Sequence, residues 1–360
     1  MTPAELSRTV LHAVRSAVAD GALRVVPPES VSVERPGPGG CGDYATNVAL
    51  RLARSAGQPP RAVAEALRER IAQDPAIASV EITGPGFLNI TLGEGSQQAL
   101  IRKVLEQGGR YGWQSAAPSP GGTDPDPGRQ DSDGPGRDRQ DPQDSDSPGR
   151  DRQEPVPQDS HSPGNRAPAP DPRAPLWDDT VARLLRTQGA AARPRAGGAL
   201  TPAPPYDPSL GDDAIRWGLL AAAAHDRPRI GPQLLRQHES NPLFTVRYAH
   251  SRARALRRDA ERLGFTAAPL EQVEAGGLTG LIADYPAVLA SAARLGSPDR
   301  LARHLESTAD ALLAFQHTVL PLGDEKPMAA HRSRLAVAEA AGTVLAGGLS
   351  LLGVSAPEHL

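Results

Sequence analysis

A chain of 360 residues and 37.7 kDa is long enough for two or three domains, each with a sizeable core. Aromatic residues make up only 3%, so those cores must be built from Ala, Leu and Val. The formal net charge of -3 excludes a globally basic nucleic-acid binder but leaves room for a local basic patch.

Lys103 and Lys326 are the only lysines, so nearly all positive charge is carried by Arg, a bias expected of a GC-rich genome. The single cysteine, Cys41, permits no internal disulfide and fits a reducing compartment. No Cys/His spacing suggests a metal site. With no signal peptide and no apolar run long enough to span a bilayer, the expectation is a cytoplasmic protein that engages no membrane.

In chain order, Thr2-Pro3-Ala4-Glu5 reads as a capping box opening a helix that carries Leu6, Val10, Val14 and Ala17 and stops near Gly21. Val31–Glu34 alternates like a strand. A Gly-rich turn then leads through Tyr44 into a helix ending at Gly57, and Pro60 opens another with Val63, Leu67 and Ile71 on one side. Val80–Thr83 and Phe87–Leu92 flank Gly84-Pro85-Gly86 as two strands joined by a tight turn. Leu100, Ile101, Val104 and Leu105 mark a last helix of a small α/β unit ending near Trp113.

Gly37-Pro38-Gly39-Gly40-Cys41-Gly42 satisfies the dinucleotide pattern and even sits between a strand and a helix. Pro38 stiffens that loop, and no succession of strands and helices follows to build a parallel sheet. The glycines are read as a turn.

From about Ala116 to Pro175 the composition turns to Pro, Gly, Asp, Ser, Gln and Arg, and Pro-Gly-Arg-Asp-Arg-Gln occurs twice. Too little apolar surface is available there to offset ordering, which predicts a disordered tether. A short amphipathic island follows at 177–188, with Trp177, Val181, Leu184 and Leu185 on one face, and then a Pro-rich stretch to 208. The remainder is helical. Its principal helix runs from Asn241 as cap, through Pro242 at the first position, to Gly264. Val246, Ala249, Ala253, Leu256, Ala260 and Leu263 form its core stripe, and Arg247, Arg254 and Arg258 lie roughly opposite with His250 beside them.

The wording of that helix, Asn241-Pro242-Leu243-Phe244-Thr245-Val246-Arg247-Tyr248-Ala249-His250-Ser251-Arg252, resembles the anticodon-binding domain of arginyl-tRNA synthetases. There the usual run is Asn-Pro-Val-Tyr-Tyr-Val-Gln-Tyr-Ala-His-Ala-Arg, so Phe244, Thr245 and Arg247 are departures. Asp213-Ala214-Ile215-Arg216 resembles the wording that gives that domain its name, DALR. The last residues, through Ala356-Pro357-Glu358-His359-Leu360, resemble the family's C-terminus. Gly42-Asp43-Tyr44-Ala45-Thr46-Asn47 and Gly84-Pro85-Gly86-Phe87-Leu88-Asn89 resemble the family's additional N-terminal domain, which contacts the D-loop corner of tRNA.

The resemblance covers about residues 1–113 and 209–360. It implies an α+β chain: a small α/β N-terminal domain over 1–113, a long disordered Pro/Gly/Asp/Arg-rich linker over 114–208, and an all-α helical-bundle domain over 209–360. It also implies RNA contacts. Asn89 is a base contact or a strand-edge amide bonding its own backbone. Phe244 and Tyr248 stack on bases if exposed, or pack if buried. Arg247, His250, Arg254 and Arg258 offer a basic face, and Leu360 belongs to the anticodon pocket.

The family's class I catalytic domain has no room between the two matching ends, so no catalytic residue, no metal and no cofactor are expected. ATP would be needed only with a catalytic partner. The leading expectation is a tRNA-binding, synthetase-like protein without its own aminoacylation site, with an arginine tRNA as partner. The alternatives are a relic or split arginine–tRNA ligase working with a catalytic synthetase or other protein partner, and a protein-interaction module that kept the fold.

Overall fold

The computed structural model describes residues 1–36, 41–114, 171–191, 200–275 and 277–360. Its N-terminal part follows the residue pattern closely. Helix α1 (Pro3–Ala19) starts with a complete capping box: the Thr2 hydroxyl accepts from the Glu5 N–H, and the Glu5 carboxylate accepts from the Thr2 N–H. Burial works against ionisation of Glu5, but hydrogen bonds from Lys103 and Thr2 prevail and hold its carboxyl at about 2.

Strands β1 (Tyr44–Thr46), β2 (Ile77–Thr83) and β3 (Phe87–Leu92) form an antiparallel sheet in the order β1-β3-β2, with Ile90 opposite both Tyr44 and Val80. Helices α2 (Val48–Ala56) and α3 (Pro60–Ile71) pack with α1 over a core of Leu6, Val10, Val48, Val63, Leu67 and Leu88. Val31–Glu34 is not a strand. Glu34 and Ala45 exchange backbone hydrogen bonds as an isolated bridge, but Pro36 lacks the N–H that would extend the ladder, and Ser32 gives its carbonyl to the Thr46 hydroxyl instead. Gly42 passes so close to β3 that a Cβ there would lie 2.9 Å from the Ile90 carbonyl oxygen. Most of the pseudo-dinucleotide turn, Gly37–Gly40, lies outside the described residues.

Helix α4 (Ser96–Gln107) departs from the expected domain boundary. Its apolar side, Leu100, Ile101 and Val104, belongs to the helical core along with Tyr111, whose hydroxyl donates to the Ile282 carbonyl. A second correction concerns the expected linker over 114–208. Helix α5 (Arg173–Thr187) takes in most of the amphipathic island and is part of the body, with Trp177 1% exposed and Leu184 fully buried. Large apolar side chains contribute roughly 1.5–3 kcal/mol each when buried, enough to hold so short a helix in place. Arg173 at its start is fully buried and donates to five main-chain carbonyls, those of Leu219, Thr201, Asp226, Ala222 and Ala223. The low-complexity tract expected over 116–175 lies, up to residue 170, outside the described residues.

Helices α6 (Asp212–Leu220), α7 (Pro242–Arg262), α8 (Leu278–Leu295), α9 (Pro298–Phe315) and α10 (Ala329–Leu352) complete the bundle. Helix α10 is long and apolar enough to cross a membrane by length and composition, contrary to the expectation of no such run. Its most apolar window is 72% buried in the bundle, so it is the central core helix. Residues 1–116 and 171–360 form one compact unit. The N-terminal part packs on the bundle through Arg35 and Asp284, 3.6 Å apart, and through Gln97, which donates to the Val273 carbonyl and accepts from its N–H.

Candidate nucleic-acid interface

Helix α7 begins where the Asn-Pro wording placed it, but Asn241 does not cap it through its side chain. The amide nitrogen instead donates to the carbonyls of Leu234 and Arg236, at 2.9 and 2.8 Å, tying the single turn Pro232–Leu235 to the start of the helix. Gly264 takes the left-handed conformation expected after the last turn. It turns Leu263 outward, 51% exposed, and brings Phe265 into the core in its place.

Between that turn, the start of α6 and the first turns of α7 lies an open groove of about 460 Å³. Asp213, Arg236, Asn241, Phe244, Arg247 and Leu360 are among its lining residues. The Phe244 ring stacks on Tyr248 with centroids 5.4 Å apart and planes 14° apart. Both rings are half-buried, so they pack on each other while keeping an accessible surface. Asn241 Oδ1 and Arg247 Nε are buried at the groove without a hydrogen-bond partner among the described residues.

The basic face of α7 is not open as the periodicity suggested, because residues 355–360 run across it. Asp213 accepts from the Ser355 N–H at 2.9 Å, and Arg247 Nη2 lies 3.0 Å from Ser355 Oγ and 3.5 Å from Asp213 Oδ2. His250 Nδ1 meets the Pro357 carbonyl at 3.0 Å; burial pushes its pKa down. Arg254 pairs with Glu358 at 2.6 Å, and Arg258 reaches the Glu358 carbonyl at 3.5 Å. Each of the three arginines is thus already engaged within the chain, through residues about 100 positions away. This strap also sets Leu360, 49% exposed, against the groove.

Asn89 sits apart from this groove. It lies in β3, the central strand, 5% exposed, and donates to Thr83 Oγ1 at 2.7 Å across the hairpin. Of the residues singled out from the sequence, Phe244, Arg247 and Leu360 line the groove, with Tyr248 stacked on Phe244, whereas His250, Arg254 and Arg258 form the seat of the strap.

Comparison with known proteins bears on both halves. Residues 5–92 match the Arginyl tRNA synthetase N terminal domain, and residues 246–360 match the DALR anticodon binding domain. The chain thus carries two domains of arginyl-tRNA synthetases. The arginine–tRNA ligase of Frankia alni is 50% identical over 112 residues, 31% of this chain and 20% of that protein. The ligase of Kineococcus radiotolerans is 46% identical over 122 residues, 33% of this chain and 22% of that protein. The chain thus spans about a fifth of the length of the curated relatives it matches. Thermus thermophilus arginyl-tRNA synthetase superposes with a TM-score of 0.62 at 14% identity, in an alignment covering 100% of both chains. At that identity the likeness is one of fold.

Within this synthetase relative, reading the sequence missed Asp213, Ser355 and Glu358 as partners of the α7 arginines. Asp213 stands in the DALR wording, but its bond to Ser355 spans 142 positions and leaves no local signal. Asn241 was legible as a helix start, not as the tie to the 232–235 turn.

Proposed function

We propose that this chain is a tRNA-binding member of the arginyl-tRNA synthetase family without an aminoacylation site of its own. The observation that carries the reading is the groove at the start of α7, where the half-buried Phe244 ring, stacked on Tyr248, stands beside the guanidinium-bearing Arg236 and Arg247. An unstacked base needs an aromatic face and hydrogen-bonding groups at its edge, and a base–aromatic contact is worth roughly 1–3 kcal/mol. The DALR match, which takes in Arg247 and Leu360, supports the same ligand class. An arginine tRNA is the expected partner, in a cytoplasmic setting.

Amino-acid activation needs a nucleotide-binding parallel sheet with helices on both faces. Among the described residues the sheet is three-stranded and antiparallel, which favours binding over catalysis by this chain. A catalytic partner would supply ATP chemistry if aminoacylation is served at all.

Two measurements test the reading. Filter binding of total tRNA should reveal a complex that weakens with salt. Charging assays with ATP, arginine and tRNA should yield no product from the isolated chain. No complex at low salt, or charging by the chain alone, overturns the proposal.

A further inference from the structure

The arginine of the DALR wording has no role in the groove. Arg216 is half-buried on α6 and makes no hydrogen bond or ion pair among the described residues. Its guanidinium points to the end of α10: a Cβ on Gly353 would lie 2.9 Å from Arg216 Nη1 and 3.0 Å from Arg183 Nη1. The two guanidiniums, from α6 and α5, therefore approach to within about 6 Å of each other by those distances. Their repulsion is felt, for after burial and Asp179, Arg216 is the next influence on Arg183, and it pushes the Arg183 pKa down. Arg183 Nε is buried without a partner among the described residues, and Arg183 Nη2 donates to Thr180 Oγ1.

Two like charges converging from separate helices need a counter-charge. Asp179 supplies part of it, 3.3 Å from Arg183. The C-terminal end of α10 adds the equivalent of about half a negative charge. Arg186 adds a third positive group nearby, the last of the influences on Arg183. Asp213, one turn before Arg216, is already committed to Ser355 and Arg247. Among the described residues no acceptor meets the Arg216 guanidinium or Arg183 Nε. Arg side chains suit the bidentate recognition of phosphoryl oxygens.

We infer that Arg183 and Arg216, meeting at Gly353, form a binding site for a phosphate group. Gly353, at φ +72°, keeps the approach open, since any side chain would fill the space between the two guanidiniums. The site does not depend on the tRNA reading: the phosphate can be a free ion or part of an RNA backbone, and the test separates these.

Thermal unfolding of the full chain is followed while inorganic phosphate replaces chloride at constant ionic strength. The wild type should show a saturable rise of about 2–4 °C. Arg216→Gln and Arg183→Gln should each abolish the rise, while Arg300→Gln, at an exposed arginine of α9, should retain it. Without phosphate, Arg216→Gln should melt no lower than the wild type, because it removes repulsion. If the pair merely complements the α10 terminus, that variant melts lower without phosphate and the phosphate response persists. A wild type with no saturable response, or a response that survives both substitutions, overturns the site.

In a second arm, binding of a short RNA hairpin is measured against salt. A slope reduced by about 0.7–1 in Arg216→Gln assigns the phosphate to RNA. An unchanged slope with a positive first arm assigns it to the free ion. A wild type that binds no RNA but responds to phosphate removes the proposed function and leaves this site standing.

Discussion

Glu358 Oε1 lies 2.6 Å from Arg254 Nη2, so a carboxylate of the chain occupies the place on α7 that a backbone phosphate would need. On the proposed function, RNA that uses this face must displace the 355–360 segment. Glu358→Gln should therefore raise affinity for tRNA several-fold at low salt and steepen its salt dependence by about one phosphate contact. Filter binding across a salt series checks this, and equal affinities of the two proteins would place the RNA elsewhere.

Replacing Arg173 tests what integrates α5. Its guanidinium satisfies five main-chain carbonyls in a fully buried position, where Lys offers three donors on a point charge. Arg173→Lys should destabilise the chain by about 3 kcal/mol or more, since buried acceptors left without donors cost about 1–3 kcal/mol each. Urea unfolding gives the number, and a loss near zero would mean that the 200–226 segment holds itself.

His304 contributes to the acid sensitivity alongside Glu5 and His250. Burial lowers its pKa to about 4, against the partial opposition of a hydrogen bond to the Leu281 backbone, and its ring stacks on Tyr285 at 5.9 Å. The folded protein therefore keeps this ring neutral where the unfolded chain, near 6.5, would already bind a proton. Stability from this group is present above about pH 6.5 and is lost as pH falls toward 4. His304→Phe keeps an aromatic ring and should flatten the melting profile between pH 6.5 and 4. A slope as steep as that of the wild type would assign the sensitivity to other groups.

Two glycines with the same backbone sign separate strain from crowding. Gly21 has φ +77° and nothing within 4 Å of where a Cβ would stand, whereas Gly42 has φ +79° and the Ile90 carbonyl oxygen at 2.9 Å. Gly21→Ala should cost about 1 kcal/mol for left-handed strain alone. Gly42→Ala should cost clearly more, because β3 must also give way. Equal losses in denaturant unfolding would show that the loop simply moves aside.

The helices were legible because their signals are local: the Thr2–Glu5 box, Pro at first positions, Gly57 and Gly264 past the ends, and the three-four spacing of Val246, Ala249 and Ala253. The family likeness supplied the groove residues Phe244 and Leu360, and Tyr248 stacked on Phe244. What escaped was set by distant partners. Trp177 and Leu184 look like an orphan amphipathic turn until α8 is seen beside them, where the Trp177 Nε1–H finds its acceptor at the Gly296 carbonyl just past that helix. The α7 arginines look free because Ser355, Pro357 and Glu358, which hold them, stand some hundred residues later. The short strand Tyr44–Thr46 was hidden inside a motif read for its turn and helix.

The Gln114 N–H donates to the Thr187 carbonyl at 2.7 Å, so the path out of the N-terminal half is fastened beside the end of α5. Both residues belong to one body. Loosening either partner would therefore be felt twice over, at the last turn of α5 and where the N-terminal half lets the chain go.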